Sequence, residues 1–310
     1  MAQADRTIKE KREAVLPPES RDTLKHLEIV ARRNVEGILH GEHKSKRKGV
    51  STEFDHHKVY QPGDPLRHVD WKVSARHDAY FIKRYLEDTA LTVNIVVDVS
   101  GSMQQQTGGH QVYLQAARMA ASLAYLIVNQ RDSVGMVLGH GERQEWFPPS
   151  ATEAHLVRLF TALASTDPAG EGGVESALNA LLERNEYKGM IVLISDLMFD
   201  PVPIQRQLGR LGAQGHELLL LQVTDPTTEE FPFNRWVVFQ DLEVPGLRHR
   251  VDAVPLKKLY REEYDNLMQE WRDWARKQDA HFVPFRAERP IETVLGEYLN
   301  YRQSVLGNHG

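Results

Sequence analysis

Two acidic chain segments hold the residues best suited to chemistry. In DVSGSM, Asp98, Ser100 and Ser102 follow the apolar run Val93–Val97; in ISDLMFD, Asp196 follows the run Met190–Ile194. Short β-branched runs of this kind are expected of strands buried on both faces of a parallel sheet. In such sheets the crevice lies at the carboxyl ends of the strands, where the strand order reverses. If the two runs are neighbours there, one carboxylate and two hydroxyls face a second carboxylate. That set of hard oxygen donors suits Mg²⁺, with Mn²⁺ as the alternative, in an octahedral and partly hydrated site. The plainer reading is that Asp98 caps its loop backbone and the serines turn the chain.

DVSGSM followed far along the chain by a strand-borne aspartate resembles the metal-ion-dependent adhesion site of von Willebrand factor A (VWA) domains. By that resemblance Ser100 and Ser102 ligate the metal directly. Asp98 and Asp196 hold it largely through water, and one position stays open for a partner's carboxylate. Such sites usually add a threonine from a loop resembling GGT. The matching stretch here is GEGGVESAL, which puts Val174 at that position. Valine has the shape of threonine without its hydroxyl, so one ligand is missing. Water, Thr166, Glu171 or Glu175 could take its place, and weakened metal binding is expected.

A second resemblance lies upstream. His43–Arg76 contains a basic stretch, then Glu53-Phe54, Tyr60, Pro62-Gly63-Asp64, Arg67, Asp70-Trp71 and Ser74-Ala75-Arg76. This pattern is similar to the signature of the family called domain of unknown function 58. The resemblance implies a protein-interaction adaptor that works with a MoxR-type AAA+ ATPase on a client protein. It marks Glu53, Arg67, Asp70, Trp71 and Arg76 as signature residues, structural or interacting. Read as residues, Arg67, Asp70 and Arg76 suit a buried ion-pair network with Trp71 as its apolar plug, because buried charges are normally paired. The run Lys44–Lys48 suits a solvated loop or a grip on an acidic surface.

The elements needed to position these residues are legible in the spacing. Residues 1–20 read as a flexible tail, and helical spacing over Asp22–His40 is stopped by Gly41. Glu53–Asp78 mixes Gly, Pro, Asp, Arg and aromatics without a period, an irregular connection followed by a strand at Tyr80–Leu86. Residues 21–90 thus form an N-terminal helix and extension expected to pack on the core. From 91 to 310 strands and helices alternate: strands at Val93–Val97, Val134–Leu138, Gln144–Phe147, Met190–Ile194, Leu218–Val223 and His281–Phe285. Helices are expected at Val112–Val128, Glu153–Leu163, Glu175–Arg184, Pro203–Leu211, through Leu256–Trp274, and at Ile291–Leu306. An inserted hairpin spans Trp236–Val251 within residues 231–253, turning at Pro245-Gly246. The alternation predicts an α/β fold: a doubly wound, mostly parallel sheet with helices on both faces.

Composition narrows the function classes. The chain has 310 residues, 41% apolar and 26% charged, and a formal net charge of −5. No overall field therefore draws nucleic acid or anionic lipid. No cysteine is present, which removes disulfides and thiolate chemistry and suits a cytoplasmic setting. Apolar stretches such as Ala120–Val128 fall short of the ~20 residues that span a bilayer. His40, His43, His56, His57, His68 and His77 match no metal-binding spacing. Enzyme motifs are scarce: no GxxxxGK[ST] and no G-x-S-x-G elbow occur. The rival to a non-catalytic adaptor is a Mg²⁺-dependent phosphoesterase using Asp98 and Asp196. A structural subunit with a decayed metal site is the third reading.

Overall fold

Backbone pairing, not an apolar pattern, organises the first residues that the computed structural model describes. Those residues are 54–60, 69–74, 76, 80–85, 91–107, 109–141, 143–184, 188–242 and 246–307. The helix expected at Asp22–His40, the run Lys44–Lys48, Glu53 and Arg67 lie outside them. Residues 43–90 form one compact unit and residues 91–310 belong to a second. In the first, β1 (Phe54–Val59) pairs antiparallel with β2 (Phe81–Tyr85). β1 falls inside the stretch expected to be irregular. Its sequence, FDHHKV, has no apolar alternation, and the partner strand satisfies its backbone groups without one. Between them α1 (Trp71–Ser74) makes a single turn. Asp70 caps it, its Oδ1 accepting from the amides of Lys72 at 3.1 Å and Val73 at 3.2 Å. The Ser74 hydroxyl accepts from the Phe81 amide at 2.9 Å, fastening the turn to β2. Trp71 is 63% exposed and stands edge-on to Tyr80, so it is not the buried plug its sequence context suggested. Arg76 is exposed as well.

From Leu91 the second unit alternates strand and helix. β3 (Thr92–Asp98) leads through a small ribbon, β4 (Gln106–Thr107) and β5 (His110–Gln111), into α2 (Val112–Asn129). β6 (Ser133–His140) and β7 (Arg143–Ser150) follow, then α3 (Glu153–Ser165), α4 (Val174–Arg184) and β8 (Met190–Ser195). Next come α5 (Pro201–Ala213), β9 (Glu217–Thr224) and α6 (Pro226–Glu230), then a second ribbon, β10 (Trp236–Gln240) with β11 (Arg248–Asp252). α7 (Ala253–Lys277), β12 (His281–Arg286) and α8 (Ile291–Gly307) close the order. Every element expected from Leu91 onward is present; β4, β5 and α6 were not expected, being too short to show a period.

Six strands form the central sheet in the order β12-β9-β8-β3-β6-β7. All neighbours are parallel except β7, which runs antiparallel to β6 at one edge. Alternate side chains sort into two layers. Val93, Ile95 and Val97 join α2, α3 and α8 residues on one face, while Val96 joins α4, α5 and α7 residues on the other. β8 and β9 divide likewise: Val192, Ile194, Leu219 and Leu221 go one way, Ile191, Leu193, Leu218 and Leu220 the other. This two-sided burial makes the central strands near-continuous apolar runs. The order reverses at β3, which lies between β6 and β8, so the crevice opens at its carboxyl end.

One close approach sets the wall of that crevice. A Cβ on Gly139, at the end of β6, would come 2.4 Å from the Gly173 carbonyl oxygen. One on Gly173 would come 2.5 Å from the Gly139 carbonyl carbon. Backbone therefore packs on backbone here, and no side chain fits at either position.

Two tests follow from this packing. Gly173→Ala should destabilise by roughly 1–3 kcal/mol, the usual cost of overpacking, whereas Gly172→Ala, with no contact closer than 3.4 Å, should be tolerated in thermal melts. The second test is acid stability. His155 donates Nε2–H to the Val134 carbonyl at 2.8 Å, and His216 Nδ1 accepts from the Gly189 amide at 3.2 Å. Burial holds both rings below the ordinary value of 6.5. The unfolded chain then takes up these protons before the folded one does. Their contribution is complete above pH 6.5 and is lost as pH falls through and below it. Melting temperature should be flat above that point and drop below it, and His155→Gln with His216→Asn should flatten the slope.

Candidate functional site

Asp98 is the last residue of β3 and is fully buried. Burial pushes its carboxyl above the ordinary 3.8, and hydrogen bonds from Ser195 and Ser100 pull it part of the way back. The Ser195 hydroxyl donates to Asp98 Oδ2 at 2.6 Å and the Ser100 amide donates to Oδ1 at 2.9 Å. The strands make this possible: β3 and β8 pair in parallel through Val97 opposite Ile194, so the next residues, Asp98 and Ser195, leave the sheet side by side. Asp196 follows at once, 7% exposed, with Oδ1 accepting from the Met198 amide at 3.1 Å. Sequence-derived Asp98 and Asp196 thus sit on adjacent strand ends.

The two serines are brought together as well. Ser100 Oγ and Ser102 Oγ lie 2.9 Å apart, Ser100 buried and Ser102 half-buried. Their loop is stapled to the next one by two backbone bonds, Gly101 N–H to the Gly170 carbonyl at 2.9 Å and Ala169 N–H to the Val99 carbonyl at 3.0 Å. The Gln104 side chain also donates to the Pro168 carbonyl. This brings Gly172 to the site: a Cβ there would meet Ser100 Cβ at 3.4 Å and Asp98 Oδ1 at 3.9 Å. Val174 stands elsewhere. Its side chain is 3% exposed and belongs to the apolar layer with Val96, Val137 and Leu178. In the third loop the position facing Asp98 is therefore Gly172. Among the candidate stand-ins, Thr166 donates its hydroxyl to the Ala162 carbonyl at 2.8 Å, and Glu171 and Glu175 are exposed.

Several residues that position the site were not singled out from sequence. Ser195 is the nearest of them, and counting the register from Val97 opposite Ile194 would have found it. Leu197 holds a left-handed backbone at φ 58° although it is not glycine, and it is 1% exposed. Its amide donates to Ser195 Oγ at 2.9 Å, and its side chain is anchored in the apolar layer of α5 and α7. Strain of roughly 1–2 kcal/mol is usual for such a residue, so the loop carrying Asp196 is held by packing against its own preference. Asp225, 1% exposed at the end of β9, caps α6 through the Thr227 amide at 2.8 Å. Gln105 bridges to α6, donating to Thr227 Oγ1 at 3.0 Å and accepting from Thr228 Oγ1 at 2.9 Å. Tyr260 of α7 is pushed up to about 12, mainly by burial and further by the charge of Asp196. Among the described residues no three His, Asp or Glu side chains cluster, so any cation here would depend on hydroxyls as much as carboxylates.

An uncharacterized protein of Mycobacterium tuberculosis is 30% identical over 229 residues, covering 73% of this chain and 72% of that protein. Among solved structures, the conserved hypothetical protein BatB from Bacteroides thetaiotaomicron aligns over 68% of this chain and 98% of its own, at 15% identity and TM-score 0.46. The SpRpn10 VWA domain aligns over 67% and 94%, at 10% identity and TM-score 0.43. The fold is α/β: a mostly parallel sheet flanked by helices on both faces. The family described as Protein of unknown function DUF58 matches residues 56–273, and the chain belongs to it.

Proposed function

We propose that this protein is a non-catalytic interaction module whose crevice holds a divalent cation, Mg²⁺ or Mn²⁺, that in turn accepts a carboxylate from a partner protein. The resemblance to VWA domains and the family support a protein-interaction role. The observation that carries the cation is the pair of hydroxyls on Ser100 and Ser102, hydrogen-bonded to each other at 2.9 Å beside a fully buried Asp98. Ligands ~2.0–2.1 Å from Mg²⁺ at right angles to one another lie about 2.9 Å apart, so this pair matches one edge of an octahedron. Ser100 and Ser102 would hold the ion directly, with Asp98 and Asp196 in support. A cation also offsets the cost of keeping the Asp98 carboxylate charged away from water. The resemblance to domain of unknown function 58 proteins makes a MoxR-type AAA+ ATPase the proposed partner, acting with this chain on a client.

Gly172 and Val174 separate this reading from a decayed site. A serine at 172 has room, its Cβ 3.9 Å from Asp98 Oδ1; a threonine at 174 puts a hydroxyl among Val96, Val137 and Leu178. Titration calorimetry with MgCl₂ and MnCl₂ is expected to show weak binding by the wild type and tighter binding by Gly172→Ser, by about tenfold. Val174→Thr should give no gain and a lower melting temperature. Asp98→Asn should abolish binding while keeping the fold, since an amide can still accept from Ser100. No heat from either the wild type or Gly172→Ser removes the cation reading. Hydrolysis of p-nitrophenyl phosphate by the wild type, lost in Asp98→Asn, would instead support a phosphoesterase. Recovery of an AAA+ ATPase from the native cell by wild type but not Asp98→Ala tests the partner.

A further inference from the structure

The ribbon β10–β11 has two unlike faces. Directly opposed residues share a face, so Val237 and Phe239 lie with Val251 and His249, while Trp236, Val238 and Gln240 lie with Asp252, Arg250 and Arg248. The first face is bolted down: Phe239 stands 5.8 Å from Phe231 and 5.2 Å from Phe233, and Phe231 lies 4.6 Å from Tyr260 of α7. The second face is open, with Trp236 and Val238 each 60% exposed. Arg250 lies over the Trp236 ring at 5.4 Å, and Arg248 stands one pair further along. Asp252 is already engaged, accepting from the Val254 amide as the cap of α7. No described carboxylate forms an ion pair with Arg248 or Arg250. A tryptophan and two arginines on one exposed apolar face are the residue types that dominate protein interfaces.

We infer that this face docks an acidic, apolar segment of a partner protein, its carboxylates on Arg248 and Arg250 and its apolar side chains on Trp236 and Val238. Charge selects the occupant. The chain as a whole is −5, so this basic face is a local reversal that draws acidic side chains to one place. The same net charge disfavours nucleic acid and anionic membrane, which respond to the field of the whole protein. Among the described residues the ribbon pairs with no other strand, so an extended segment can also bond to an outer backbone edge, which a lipid cannot. The ribbon lies near the crevice end, through Phe231 and the α7 residue Tyr260 that feels Asp196, yet its chemistry needs no metal.

The test places a photo-crosslinking residue at Val238 in the full chain in its native cell and identifies the attached segment by mass spectrometry. The expected adduct is a protein segment rich in Asp or Glu beside apolar residues. Its yield should fall by at least ~10-fold, the size of one interface hot spot, in Arg248→Glu with Arg250→Glu and again in the milder Arg248→Gln with Arg250→Gln. Adducts only to lipid, nucleic acid or a second copy of this chain overturn the inference, as does a yield unmoved by both pairs in folded protein. The same adduct in Asp98→Ala separates the two ideas: its persistence there upholds the ribbon site even where the cation reading has failed.

Discussion

Everything at the crevice depends on keeping one carboxylate dry. Asp98 sits at the end of a strand buried on both faces, where an ionised group is costly unless donors surround it. Two of the donors come from different strands' ends, the Ser195 hydroxyl and the Ser100 amide. That demand explains the local architecture better than any single motif. β8 must lie in register beside β3 for Ser195 to reach, and the loop after Asp98 must curl back for its own amide to point inward. Leu197 accepts an unfavourable backbone so that its amide can hold Ser195 in turn.

The neighbouring loops obey a second constraint, the contact of backbone on backbone. Gly139 and Gly173 allow the third loop to press on the end of β6, and the staples from Gly101 and Ala169 hold it against the serine loop. Gln105 extends the same framework to α6. The end of β6, the loop before α4, the loop after β3 and α6 are thus tied into one rim.

Much of this was legible in the sequence, for identifiable reasons. The central strands announce themselves because burial on both faces leaves them almost purely apolar, and Asp98 and Asp196 stand out because they end such runs. The pairing of those strands follows from the switch-point rule. What escaped was whatever rests on register or on non-local partners. Ser195 looks like an ordinary strand residue until its lateral neighbour is known, and β1 has no pattern because its partner lies beyond a turn and a helix. Val174 was read by position in a motif, whereas the turn into α4 rotates it into the apolar layer and leaves Gly172 facing Asp98. Trp71 shows the opposite error, since a large aromatic in a dense signature invites burial that the structure does not give it.

The Leu197 amide has a use that its role in the loop does not suggest. It donates to an oxygen whose own proton goes to Asp98, so amide, hydroxyl and carboxylate form a short relay through buried atoms. Any charge arriving at Asp98 polarises that relay from one end, and the amide at the other end registers it. Because Leu197 is almost wholly shielded from solvent, its nitrogen resonance reports on the interior with little interference from bulk water. The protein therefore carries its own spectroscopic gauge of the crevice, readable by ¹⁵N labelling without any substitution.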